Sequence, residues 1–122
     1  MSSAATQAYT RVANATGSPR ELEASALLMA ANKLQAVMNN ANATFEQMSE
    51  ALLFNRKLWT IFLSETQREG NPQPLEVREK VANIGIFVLS HTAAVQISRQ
   101  RHQVKPLIDI NRNIAAGLAG RA

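Results

Sequence analysis

The chain has 122 residues, the length of one compact domain, and it contains no cysteine. Its composition of 46% apolar and 18% charged residues excludes a disordered tail and predicts that every window is too charged to span a membrane. The missing cysteines exclude disulfide frameworks, thiol nucleophiles and iron–sulfur clusters. A formal net charge of +4 gives a mild bias towards anionic partners. The first residues show no basic segment that leads into an apolar one, which predicts a cytoplasmic protein with no signal or anchor.

Helix start signals organise the N-terminal third of the chain. A short helical stretch is expected around residues 4–14, followed by a stop at Gly17. The sequence SPRE at residues 18–21 has the form of a capping box with proline at the first helical position. Apolar residues then recur at spacings of three and four, so a helix over residues 19–40 is predicted.

A second capping box, TFEQ at residues 44–47, predicts a separate helix over residues 45–68. The alternative is one continuous helix bent near Asn42. The predicted second helix is apolar on two sides. Its main stripe, which places Trp59 in the core, contains Phe45, Met48, Leu52, Trp59, Phe62 and Leu63. The opposite stripe contains Phe54, Leu58 and Ile61.

The C-terminal half predicts two more helices. Glycine and two prolines mark a loop at residues 70–74, and a long apolar helix is predicted over residues 74–100, with the basic residues 99–103 forming its last turn. Pro106 starts a helix over residues 106–118, and Gly120 ends it. The whole chain, residues 1–122, is therefore expected to form one all-α domain, a helical bundle of four to five helices.

Signatures of catalysis are missing from the sequence. There is no glycine-rich phosphate loop, no nucleophile elbow and no zinc-protease motif. The best catalytic candidate is His91, but no nucleophile or carboxylate stands at helical spacing beside it, so a structural histidine bonded to a neighbouring loop is favoured. A metal site would need both His91 and His102 to converge with carboxylates. The sequence thus predicts no enzyme, no metal or other cofactor, and no small-molecule substrate.

Three features exceed what a plain bundle needs. Asn55 falls inside the main apolar stripe, with Arg56 at its border, and is either a hydrogen-bonded core residue or one that reads a partner. Asp109 and Arg112 are spaced to pair on the surface of the last helix. The stripe opposite Trp59 binds a partner helix if it is open, or is core if the segment around Tyr9 and Val12 covers it. The candidate partner-binding residues are Phe54, Leu58, Ile61, Asn55, Arg56, Asp109, Asn111 and Arg112.

A basic segment allows a second class of partner. Arg99, Arg101, His102 and Lys105 lie close together in the sequence, but no aromatic residues alternate with them as in RNA-stacking surfaces. The favoured interpretation is a helix C-terminus that carries complementary charge.

Four motifs together resemble a known family. They are NRKLW at residues 55–59, the Asn-Pro loop at 71–72 with Leu75 and Arg78, the apolar helix at 81–89 with Ser90 and His91, and LIDINR at 107–112 with Gly117 and Leu118. In order and spacing they are similar to the flagellar biosynthesis regulator FlaF, nearly end to end from residue 8 onward. Phe87 stands where many relatives have tryptophan.

The resemblance implies a small, non-enzymatic cytoplasmic protein needed for flagellin production or secretion, acting with or against the flagellin translation repressor FlbT. Its expected partner is unassembled flagellin, bound in a chaperone-like way as for an export factor. The alternative is direct action on flagellin messenger RNA through the basic C-terminal region. No membrane partner is expected.

Overall fold

The structure, a computed structural model, describes residues 4, 5 and 19–120. Within them lie helices α1 (Pro19–Asn39), α2 (Phe45–Gln67), α3 (Leu75–Ser98) and α4 (Lys105–Leu118), with a short 3-10 helix (Arg101–Val104) before α4. The described residues contain no strand, so the predicted all-α fold is confirmed.

The helix ends follow from local hydrogen bonds. Thr44 caps α2 reciprocally: the Gln47 amide donates to Thr44 Oγ1 at 3.1 Å, and the Thr44 amide donates to Gln47 Oε1 at 2.9 Å. The predicted separate helices are confirmed, and the single bent helix is wrong. The predicted last turn at 99–103 is also wrong, because Arg99 takes a left-handed conformation with φ 59° and ends α3.

Two predictions fall on the N-terminal segment. Ser18, the capping residue of the box at residues 18–21, and the predicted stop at Gly17 lie outside the described residues. Of the stretch expected around residues 4–14, only Ala4 and Ala5 are described, and both are helical.

Helices α1 and α2 lie in the middle of the bundle, since α1 packs against α4 and α2, and α2 packs against α1 and α3. Trp59 of α2 is fully buried, as predicted, and meets Phe62 edge-on with ring centroids 5.7 Å apart. All four helices contribute to one apolar core, α3 through Val88 and Val95.

Helix α3 sits at the edge of this bundle, on α2 and the 3-10 helix. Its buried residues are Gly85, Val88, Thr92 and Val95. Gly85 marks the closest approach to α2, because an added Cβ there would lie 2.7 Å from Cδ2 of Leu63.

The composition of α3 corrects one expectation. Residues 81–98 contain no Asp, Glu, Lys or Arg, and α3 is long and apolar enough to cross a membrane, with a mean hydropathy of 1.4 in its most apolar window. The prediction that every window is too charged for a span is therefore wrong. Only 22% of that window is buried within the described fold, and Ile86, Phe87 and Ile97 are exposed.

Candidate partner-binding site

A buried network of polar side chains joins α2 to α4 and α1. Trp59 Nε1 donates to Asn111 Oδ1 at 2.9 Å, and Asn111 Nδ2 donates to Asn55 Oδ1 at 2.6 Å. Asn111 Nδ2 also lies 3.4 Å from the carbonyl oxygen of Leu27 in α1. Both asparagines are fully buried. Their prediction as partner contacts is wrong for this fold, because their amides bond within the core.

The network is satisfied unevenly. Asn111 uses both ends of its amide, whereas Asn55 Nδ2 has no hydrogen-bond partner among the described residues. Apolar contacts alone would tolerate several alignments of the three helices, but these directional hydrogen bonds are satisfied in only one. The network therefore fixes how α1, α2 and α4 are aligned.

The stripe predicted to bind a helix is only partly open. Leu58 is 1% exposed and belongs to the apolar core, so its prediction as a surface contact is wrong. Phe54 and Ile61 are half-buried. Lys33 of α1 places its Nζ 5.0 Å from the centre of the Phe54 ring, which shows that α1 borders this stripe. The alternative cover, around Tyr9 and Val12, lies outside the described residues.

Phe54 lines a groove between α1 and α2. We call it the α1–α2 groove; its described lining comprises Ala4, Ala5, Lys33, Ala36, Val37, Asn40, Ala43, Gln47, Glu50, Ala51, Leu53, Phe54 and Lys57. The lining is mostly small or apolar, with charged groups at the rim. Leu53, 46% exposed, belongs to this groove. The apolar periodicity does not include it, because the residues three and four positions away are Ser49, Glu50, Arg56 and Lys57.

Two N-terminal residues form part of the groove wall. Ala4 and Ala5 are helical and line it, and Ala5 is 1% exposed. Small side chains therefore make up much of the described lining.

The remaining predicted contacts do not converge on this groove. Arg56 and Arg112 are exposed and are absent from its described lining. The predicted pairing of Asp109 with Arg112 is wrong, since Asp109 pairs instead with Lys105, with Nζ and Oδ2 2.6 Å apart. That pair is exposed and contributes little stability.

The basic segment makes several contacts within the fold. The Arg99 guanidinium lies 4.1 Å from the centre of the Phe45 ring, and Arg101 donates to the carbonyl of Asn40. With Lys105 paired to Asp109, three of the four basic residues already have neighbours. An RNA contact there stays a prediction.

His91 has the structural role that the sequence predicts. Its Nε2 donates to the carbonyl of Gln103 at 2.6 Å, and its ring stacks on Phe87 with centroids 5.3 Å apart. The histidine thus ties α3 to the 3-10 helix. Over residues 4, 5 and 19–120, no cluster of three or more His, Asp or Glu is arranged to hold a metal ion.

These features define a small helical protein whose distinctive surfaces are apolar faces and a groove suited to binding another helix. A family model described as flagellar protein FlaF matches residues 5–118, nearly the whole chain. The chain belongs to the FlaF family, and its role is therefore flagellar. No curated protein and no solved structure gives a significant match.

Proposed function

We propose that this protein binds unassembled flagellin in the cytoplasm, as a chaperone-like export factor that promotes flagellin synthesis and secretion. It does so by binding, without catalysis, and works with the translation repressor FlbT. Family membership supports the flagellar role. The observation that carries the binding mode is the α1–α2 groove, where the exposed Leu53 and the half-buried Phe54 lie beside a lining of small side chains.

The groove has the chemistry of a helix-binding site. Phe54 and Leu53 offer apolar anchors, and alanines along both walls let a helix backbone approach closely. Lys33 and Lys57 lie at the rim, where they favour a segment that carries carboxylates beside its apolar face. The ligand is thus an amphipathic helix with small side chains along its contact stripe.

The test is calorimetry of the purified protein with monomeric flagellin at low and moderate salt. Apolar burial should give a negative heat-capacity change, and most of the affinity should persist at the higher salt. Leu53→Asp should weaken binding about ten-fold or more, because it sets a carboxylate into the apolar wall. Leu53 is suited to this test because it is exposed, whereas a charge at the buried Leu58 would unfold the core.

A matched control is Arg56→Asp, which introduces the same side chain three residues along α2 at an exposed position outside the described groove lining. It should leave flagellin affinity within about two-fold of the wild type.

A flagellin-leader RNA is titrated in parallel. Tight RNA binding that falls steeply with salt, together with no flagellin binding, would reverse the proposal in favour of messenger RNA.

A further inference from the structure

Helix α3 carries an apolar stripe that the described fold leaves open. Five of the six exposed large hydrophobic side chains in the described residues belong to α3. Three of them, Leu75, Ile86 and Ile97, are 61%, 61% and 83% exposed. With the smaller Ala82 and Ala93 they define the outer stripe, on the side of α3 that faces away from Gly85 and Val88.

The three large residues of the outer stripe are placed symmetrically about Ile86. Leu75, Ile86 and Ile97 stand eleven residues apart, which is close to three helical turns, or about 16 Å, for each step. When the stripe is reversed about Ile86, Leu75 exchanges with Ile97, while Ala82 exchanges with Ser90 and Ala93 with Glu79. Such a stripe complements its own reverse, which is the requirement for a two-fold interface between identical chains.

We infer that the outer stripe is an interface between two copies of this chain, with their α3 helices packed antiparallel about a two-fold axis at Ile86. Leu75 of each copy contacts Ile97 of the other. Ala82 faces Ser90, and these small side chains allow close approach of the helices.

Charge and area support the orientation and the strength of this dimer. Glu79 also lies on this side of α3. In a parallel pair, the Glu79 carboxylates of the two copies would face each other and the helix dipoles would point the same way, both of which are unfavourable. In the antiparallel pair, Glu79 faces Ala93 instead. Helix α3 is 24 residues long. That length gives a contact strip of about 36 by 10 Å, roughly half the area that each partner contributes to a stable complex. The dimer is therefore weak and exchanges with monomer.

Cross-linking tests the register directly, since the chain has no cysteine of its own. Under mild oxidation Ile86→Cys should form a disulfide-linked dimer, because residues on the axis approach closely enough for the bond. Leu75→Cys mixed with Ile97→Cys should give mainly the mixed dimer. Asn113→Cys, exposed on α4, is the control for random collision.

Sedimentation measures the unmodified protein from micromolar to near-millimolar concentration. The wild type should dimerise reversibly, and Ile86→Asp should raise the dissociation constant about ten-fold or more while keeping its helical circular dichroism. Cross-linking of Ile86→Cys no faster than the Asn113→Cys control would overturn the proposal. The proposal would also be overturned if the wild type stayed monomeric at every concentration and Ile86→Asp abolished its binding to flagellin or to phosphatidylcholine vesicles. The outer stripe would then serve that partner.

Discussion

At the scale of single residues, the amide of Asn111 is the most connected polar group in the core. It accepts from Trp59 and donates to Asn55, and it also lies near the Leu27 carbonyl. Trp59 Nε1, Asn55 Oδ1 and the carbonyl oxygen of Leu27 would each lose a hydrogen-bond partner if the Asn111 side chain were removed. Asn55, in contrast, makes one side-chain bond and keeps an unpartnered Nδ2.

This asymmetry predicts unequal costs for two similar substitutions. Asn111→Ala should lower the free energy of unfolding by about 1–3 kcal/mol or more, because Trp59 Nε1 and Asn55 Oδ1 are left buried without partners. Asn55→Ala should cost less, since it also removes the unpartnered Nδ2. Urea denaturation followed by circular dichroism measures both variants. The double variant should cost less than the sum of the two, and strict additivity would show that the network is not coupled.

A second residue-scale prediction concerns Glu23 of α1. Burial, and to a smaller extent the Glu65 carboxylate, raises the pKa of Glu23 above its ordinary value of 4.5, with Arg20 acting in the opposite direction. A carboxyl whose pKa is raised by folding contributes stability that is complete below its unfolded pKa. That stability is lost as the pH rises through the folded pKa.

The ionised Glu23 therefore costs stability at neutral pH. Glu23→Gln should raise the urea midpoint at pH 7, and the gain should shrink towards pH 4, where the wild-type carboxyl is protonated. Glu50→Gln, at an exposed position of α2, is the control. An equal gain for both variants at both pH values would exclude burial of Glu23 as the cause.

The sequence predicts side-chain burial better than side-chain partners. Periodicity places Trp59 and Asn55 in the core because the stripe repeats every three to four residues. It cannot find Asn111 as their partner, because that contact spans 56 residues and depends on how α4 crosses the bundle. The same limit explains Leu58, whose stripe is visible in the sequence although its burial in the core is not.

At the scale of helices, the packing of α3 on α2 depends on the missing side chain of Gly85. An added Cβ would meet Cδ2 and Cγ of Leu63 at 2.7 and 2.9 Å, so the branch point of that leucine must move, not just its tip. Gly117 of α4 offers a matched comparison, because nothing lies within 4 Å of its added Cβ.

Alanine at these two glycines should have opposite effects. Gly117→Ala should stabilise by up to about 1 kcal/mol through helix propensity alone. Gly85→Ala gains the same helix propensity, but overpacking against Leu63 costs about 1–3 kcal/mol, so its net effect should be destabilising. Thermal unfolding of both variants measures the two effects. A stabilised Gly85→Ala would mean that α3 can shift away from Leu63 without loss.

Helix boundaries show which local signals determine structure. The Thr44 box and the prolines at 72, 74 and 106 act within a few residues, so α2 begins where predicted, and α3 and α4 begin within one residue of their predicted starts. The end of α3 was predicted too late, because the basic residues there suit a helix end but do not reveal the left-handed Arg99. The 3-10 helix was not predicted, since its position depends on contacts with His91 and α1.

At the scale of the whole molecule, the bundle has a dense side and an open side. Helices α1, α2 and α4 carry the polar network and most of the apolar core, whereas α3 adds only Val88 and Val95 to that core and packs through one face, with Gly85 against α2 and His91 at the 3-10 helix. Little of the first turns of α3 is buried: Leu75 and Val77 are both exposed. Local opening should therefore cost least at the N-terminal end of α3.

Amide hydrogen exchange followed residue by residue tests this order of stability. Amides of residues 78–84 in α3 should exchange well before those of residues 26–34 in α1 and 52–62 in α2, where opening breaks the shared core. The measurement is made on dilute protein, in which a weak α3 dimer is dissociated. At high concentration the protection of α3 should rise while that of α1 stays the same, because only α3 gains a partner. Equal protection of all three segments at low concentration would contradict this account, since α3 would then open only when the whole core unfolds.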